Sequence, residues 1–492
     1  MLFNTLDYFL IFLPLTVIIY YFCLKRRLFG VSKLWLLVAS MFFYCYWNFD
    51  YFWLLAGSIL VNFVFGSCLS SAVRFVRKVQ KKCLLVAGIF FNIGLLGYYK
   101  YVDFLIGNIN FVFSQDFPFQ HIVLPLAISF FTFQQIAYLV DSYRGLTREY
   151  DLVTYAVFVS FFPQLIAGPI VHHGDLISQF YKAKNLCLNY KNMTLGLLVF
   201  CIGLIKKALI ADKFAQWVSA GYANVESLNI AGGWLIPLCY TFQLYFDFSG
   251  YCDMAIGSAL FFNIRLPINF NSPYKSLSIQ EFWRRWHMTL SGFLRDYLYF
   301  PIGGSKKGNF RTYVNLFFLF VVTGIWHGAT NMFVVWGMLN GAAILLHRFF
   351  KLHGGHLPKI PAWFLTFMFF NLSLVFFRAP DFDTALAMYA KMIEFEPVLN
   401  GSFGSFMEAV KASGLSGNTL TYLMIGFIVI LCCKNTSEIS DRFEKTDWMN
   451  LRIWKYRTVR ITVCGIIIPL FLFYLSIMVI SSNYTEFIYF NF

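Results

Sequence analysis

The stretch FFLFVVTGIWHGATNMFVVWGMLNGAA, residues 317–343, is mostly apolar and carries a single imidazole. Between Arg311 and His347, His327 is the only His, Asp, Glu, Lys or Arg. An apolar run of this length reaches across a bilayer core about 30 Å thick. His327 lies 16 residues past Arg311. A helical rise of about 1.5 Å per residue therefore predicts a position roughly 24 Å along the span. Ionisable groups at that depth are costly and mark function. An imidazole, with an unperturbed pKa near 6.5, suits general-base work. The plain alternative is a core histidine bonded to a backbone carbonyl. Gly324, Gly328 and Ala329 around it permit close approach of another backbone or of a ligand.

The rest of the chain agrees with a membrane setting. Of 492 residues, 59% are hydrophobic and 21% aromatic, with 61 Phe, while only 13% are charged. A soluble domain carries about 25% charged residues. Further long apolar runs cover Asp7–Leu24, His121–Val140 and Ile461–Ser481. The first lacks a basic flank before it and a small-residue cleavage site, so it reads as a retained helix. The formal charge of +15 reads as basic loops held on the cytoplasmic side, and nucleic acid is not an expected partner. The eleven cysteines form no C-x-x-C pair and no metal spacing with histidine, so no metal site is expected. His172 and His173 read as part of a polar loop, with a cavity lining or a metal site as the alternatives.

Lysine and arginine set the orientation. Clusters at Lys25–Arg27, Arg74–Lys82 and Lys434–Arg460 are placed inside. The N-terminus is then external, with spans expected near Lys33–Trp47 and Tyr51–Ser70. The closing residues FIYFNF also emerge outside. The expected architecture is all-α and polytopic, with roughly ten to twelve transmembrane helices plus re-entrant segments. One transmembrane domain covers 1–492, with N-terminal helices in 1–120, a catalytic core in 121–350 and C-terminal helices with an extracytoplasmic tail in 351–492. In SFFPQLIAGPIV, from Ser160, Pro163, Gly168 and Pro169 break the helix. Broken helix at membrane depth is stable where protein buries it or where it lines a cavity. Leu266–Asn309 reads as a cytoplasmic or re-entrant element. Ala379–Asn418 reads as an outer loop with a short amphipathic helix.

Within Leu266–Asn309, EFWRRWHMTLSGFLRDY (281–297) concentrates charge around a second histidine. At helical spacing Trp283, Trp286, His287, Leu290, Leu294 and Tyr297 share one stripe, with Arg284, Ser291 and Arg295 on another. Glu281 and Arg285 stand at i,i+4. An interfacial helix with snorkelling arginines fits this pattern, and so does a functional helix. Two histidines, a basic inner loop and a broken helix fit a proton-coupled transporter as well as an enzyme.

Longer motifs favour the enzyme. FDFSGYCDMAIG (246–257), NSPYKSLSIQEFWRRWHMTLSGFLRDYLYFPIGG (271–304) and TGIWHGATNMFVVWG (323–337) resemble the membrane-bound O-acyltransferases, or MBOAT family. FFPQLIAGPIV, VFFRA (375–379) and the closing FIYFNF are similar to its bacterial branch of alginate and peptidoglycan O-acetylation proteins. The resemblance implies a membrane O-acetyltransferase. It implies transfer of acetyl from cytoplasmic acetyl-CoA to an extracytoplasmic polysaccharide such as an alginate-like polymer or peptidoglycan. D-alanyl transfer to teichoic acid is the nearest alternative. The family implies His327 as the central catalytic residue and His287 as its second polar position. A hydroxyl is a weak nucleophile until a base takes its proton. That is the expected role of His327. His287 is left to orient the donor, hydrogen-bond its carbonyl or protonate the leaving thiolate.

Coenzyme A carries phosphate charge, and Arg284, Arg285, Lys306 and Lys307 are the candidates to bind it. Asp247, Ser249 and Asp253 are candidates to order the catalytic loop. Tyr489 is a candidate acyl carrier, with an interfacial aromatic anchor as its alternative. No permanently bound cofactor is expected. The implied partners are membrane lipid, an extracytoplasmic esterase-like (SGNH) protein and the polysaccharide acceptor. The implied location is the bacterial inner membrane, with both termini outside.

Overall fold

A computed structural model describes residues 1–70, 78–147, 150–394, 403–445 and 487–488. Tyr489, the expected span Ile461–Ser481 and part of the Arg74–Lys82 cluster lie outside the described residues. The described elements are helices of α, 3-10 and π type, with no strand among them. Six are long and apolar enough to cross a membrane: Asp7–Lys25, Tyr51–Leu69, Val79–Phe113, Tyr190–Ala223, Asn331–Leu352 and Lys359–Arg378. A bent pair, Gly404–Ala412 and Gly417–Cys432, raises the number to seven if it forms one span. This is fewer than the ten to twelve expected. One reason is that several apolar runs are broken into shorter helices.

The chain forms two compact units. The first comprises Met1–Cys201, Tyr251–Pro267 and Trp448–Ile477. Here the expected span His121–Val140 is helical only as Ile128–Arg144. Pro125 and the left-handed Ala127 (φ 64°) precede its start. Proline lacks the N–H that a continuing helix needs. SFFPQLIAGPIV breaks as expected: helix Leu152–Ser160 ends, one turn covers Phe162–Leu165, and helix His173–Phe180 follows. Phe161, Phe162, Gln164 and Leu165 are all buried, so protein surrounds the interrupted backbone.

The second unit comprises Ile202–Gly250, Ile268–Asp447 and Met478–Phe492. Its main feature is a helical hairpin, Gly308–His327 and Asn331–Leu352. The long apolar run around His327 is therefore two helices, and His327 is the last residue of the first. Glycine lets their backbones meet. A Cβ on Gly337 would lie 2.6 Å from the Phe320 carbonyl oxygen. The expected amphipathic helix of the outer loop is Phe382–Ile393.

Candidate active site

The segment 281–297 does not form one helix. Helix Ile279–Arg285 stops, His287 takes a left-handed conformation (φ 44°), and helix Met288–Leu294 restarts. Ser278 caps the first helix by accepting the Glu281 N–H at 3.2 Å. Such a cap is worth about 1 kcal/mol. Glu281 reaches back to the Leu277 N–H at 2.9 Å and pairs with Arg285 at 2.8 Å. The break follows from Asn269. Its backbone oxygen accepts the Met288 N–H at 3.0 Å. Its side-chain oxygen accepts the Thr289 N–H at 3.2 Å and the Thr289 hydroxyl at 2.9 Å. A left-handed non-glycine residue costs on the order of 1–3 kcal/mol and persists where its surroundings over-determine it, often at active sites.

Asn269 also sets the His287 tautomer. The same side-chain oxygen lies 3.1 Å from His287 Nδ1. It already accepts from Thr289, so His287 Nδ1 carries the proton toward it. Nε2 of the neutral ring is then its lone-pair side. Burial pushes the His287 pKa down to about 3, so the ring is neutral at physiological pH.

His287 lines a cavity of about 610 Å³, within the range of small-molecule sites. Trp283, Leu290, Leu294, Leu316, Leu319 and Phe320 form much of its wall. Arg284, Arg348 and Lys351 supply cations, and His347 adds an imidazole. A second cavity of about 480 Å³ shares Gln280, Arg284, His347 and Lys351 with the first. Of the four basic residues proposed from sequence, Arg284 lines both. Arg285 is occupied with Glu281 and the Asn271 carbonyl. Lys306 and Lys307 are exposed and line neither cavity. Sequence reasoning missed Arg348 and Lys351. Their signal was a basic face at 347, 348 and 351, which reads equally well as a basic flank after a span.

His327 is 3% exposed and is not part of the cavity lining. Its ring packs against Trp326 at 4.9 Å, Trp336 at 5.2 Å and Phe377 at 5.2 Å between centroids. His287 lies 6.0 Å from the same Trp326. Trp283, on the cavity wall, lies 5.7 Å from Trp336. The structure thus brings the two histidines, both expected from sequence, into one aromatic cluster.

Asp247 and Ser249 stand buried on the long helix Ile230–Leu260. Asp247 meets Lys207 at 2.7 Å, and Lys207 meets Asp212 at 2.8 Å. Lys207 and Asp212 were missed, although a lysine inside the apolar run Tyr190–Ala223 is an unusual placement. Lys207 lies in the π-helical segment Ile205–Ala211. Such i→i+5 turns occur often at functional sites. Asp253 is on the same long helix but belongs to the first unit.

His172 and His173 form a clasp in the first unit, more than the polar loop expected. Both Nε2 atoms meet Asp141, at 2.6 and 3.2 Å. Asp141, His172 and His173 offer three donors within 4.8 Å, a spacing a metal ion could use. The hydrogen bonds favour the clasp. The Gly174 N–H donates to His172 Nδ1 at 3.2 Å, which puts the neutral ring's proton on Nε2, facing Asp141.

A family model described as MBOAT, membrane-bound O-acyltransferase family, matches residues 17–353. The chain belongs to this family and is an O-acyltransferase. It is 41% identical to a protein of Helicobacter pylori named peptidoglycan O-acetyltransferase, over 100% of this chain and 98% of the relative. It is 37% identical to a probable alginate O-acetylase AlgI of Pseudomonas aeruginosa, over 87% and 80% of the two chains. A teichoic acid D-alanyltransferase of Bacillus subtilis is 28% identical over 48% of this chain and 61% of the relative.

Proposed function

We propose that this chain O-acetylates an extracytoplasmic polysaccharide, using acetyl-CoA drawn from the cytoplasm. One observation carries the reading: a largely apolar cavity has His287 on its wall and Arg284, His347, Arg348 and Lys351 around it. The apolar wall suits a pantetheine arm, and the cations suit the phosphates of a nucleotide thioester. The basic residues face the cytoplasm under the positive-inside rule, in an inner membrane with both termini outside. The single catalytic domain spans 1–492, with its core in 121–350.

In this reaction an acceptor hydroxyl approaches the thioester carbonyl. His327 takes the hydroxyl proton as the oxygen–carbon bond forms. The carbon–sulfur bond then breaks, and the thiolate leaves with a proton as free coenzyme A. His287, protonated on Nδ1, offers its Nε2 lone pair and orients the donor by accepting a hydrogen bond from an amide N–H of the arm. Tyr489 is the first acceptor. Its phenolic oxygen becomes an acetyl ester, which passes to a hydroxyl of an extracytoplasmic esterase-like partner and restores the phenol. The names of the relatives support peptidoglycan or an alginate-like polymer as the final acceptor.

Purified protein with acetyl-labelled acetyl-CoA tests the reading. It requires release of free coenzyme A together with an acetylated peptide containing Tyr489. Proton-driven flux without thioester consumption would instead support a transporter, and transfer of D-alanine alone would support the teichoic acid branch. Unchanged acetylation in Tyr489→Phe would remove the carrier step.

A further inference from the structure

Phe487 and Ile488 are buried in the second unit, at 2% and 8% exposure. The Ile488 N–H donates to Asp247 Oδ2 at 2.8 Å. The other Asp247 oxygen meets Lys207 at 2.7 Å, and Lys207 also holds Asp212 at 2.8 Å. All three charged side chains are themselves buried. Lys207 is shared between the two carboxylates. The Ile488 N–H gives Asp247 a donor besides that lysine. Withdrawing it would strip a buried carboxylate oxygen of a hydrogen-bond donor, a change that is expensive in a dry interior. The geometry therefore favours a seated 487–488 segment.

The seat is close to the reaction centre. The Phe487 ring lies 6.1 Å from Phe248, and Phe248 packs edge-on against His287 at 4.9 Å. One aromatic ring separates the segment from a histidine of the cavity wall. Tyr489 follows Ile488 in sequence.

We infer that Lys207, Asp212 and Asp247 form a docking site whose ligand is the 487–488 backbone of the same chain, and that this docking is required for acetyl transfer. Asp247 is then a positioning residue, and Lys207 and Asp212 hold its carboxylate. The functional half of this inference rests on the acyltransferase reading with Tyr489 as carrier, whereas the docking half does not.

Hydrogen exchange followed by mass spectrometry on the full chain in detergent reads docking directly. The Ile488 amide should exchange at least ~100-fold more slowly than in a free peptide of residues 487–492. Asp247→Ala should abolish that protection. Ile488→Pro removes the donor while leaving the three charged residues in place, and should expose the neighbouring Phe487 amide. Binding of a fluorescent coenzyme A analogue to the cavity checks that each variant is folded. Acetyl transfer to acceptor should fall at least ~10-fold in both variants, with unchanged KM for acetyl-CoA. Fast exchange in the wild-type chain, or full protection in both folded variants, would overturn docking. Lost protection with normal transfer would overturn the positioning role. Normal transfer in Tyr489→Phe, beside lost transfer in the docking variants, would remove the carrier and leave docking intact.

Discussion

The rings of His287 and His327 pack against the same side chain, Trp326, with centroid separations of 6.0 and 4.9 Å. Only His287 belongs to the cavity lining. The shared tryptophan thus couples the cavity wall to the histidine that ends helix Gly308–His327.

The cations around the cavity should govern donor affinity and little else. Arg348→Ala and Lys351→Ala are each expected to raise KM for acetyl-CoA roughly 10-fold, with kcat nearly unchanged. A charge-assisted hydrogen bond is worth about 1.5–3 kcal/mol, and surface exposure reduces that value. Lys306→Ala, outside both cavities, should leave KM unaltered. Steady-state kinetics on the purified variants decides between these patterns.

His287 makes the fold sensitive to acid. Its pKa is pushed from an ordinary value of about 6.5 to about 3 by burial, so the folded chain resists a proton that the unfolded chain accepts. Its contribution to stability is complete above about pH 6.5 and is lost progressively as pH falls toward about 3. The melting temperature in detergent should drop between pH 7 and pH 5. The drop should be smaller in His287→Gln, which has no imidazole to protonate.

Asn269 holds the left-handed turn at His287. Asn269→Leu removes the side-chain acceptor used by Thr289 and His287. The expected cost is about 1–3 kcal/mol of stability, together with a lower kcat. Asn269→Asp keeps an acceptor oxygen and should retain more activity than Asn269→Leu. Thermal melts and turnover measured on the same preparations test both statements.

Gly337→Ala should destabilise the hairpin, because the added methyl meets the Phe320 carbonyl oxygen at 2.6 Å. Overpacking of this kind costs about 1–3 kcal/mol. A lowered melting temperature is the expected result. Gly292, which has open space around it, should tolerate alanine with little change.

Features set by local chemistry were legible in the sequence. The spans Asp7–Lys25 and Tyr51–Leu69 follow from uninterrupted hydropathy. Prolines and glycines announced the break after Ser160. His327 stood out because no other titratable residue lies near it in the chain. Features set by distant residues were hidden. The break at His287 depends on Asn269, on the segment preceding its helix. Asp247 and Ile488 meet the Lys207–Asp212 pair only once the chain has folded, so no spacing could connect them to it. The split of the long apolar run at His327–Gly328 was missed because hydropathy does not distinguish one continuous helix from two packed closely through glycine. Arg284 is a phosphate-binding candidate from the sequence and lines the cavity, whereas Arg348 and Lys351 join it through tertiary packing of the hairpin.

The most direct test of the central claim is the release of free coenzyme A from acetyl-CoA by purified wild-type and His327→Ala protein, with melting curves confirming that both are folded. General-base catalysis typically contributes about 10²–10⁴-fold, so the substituted protein should lose at least ~100-fold in rate while still binding donor. A folded His327→Ala protein that consumes acetyl-CoA and acetylates acceptor at the wild-type rate would contradict the account.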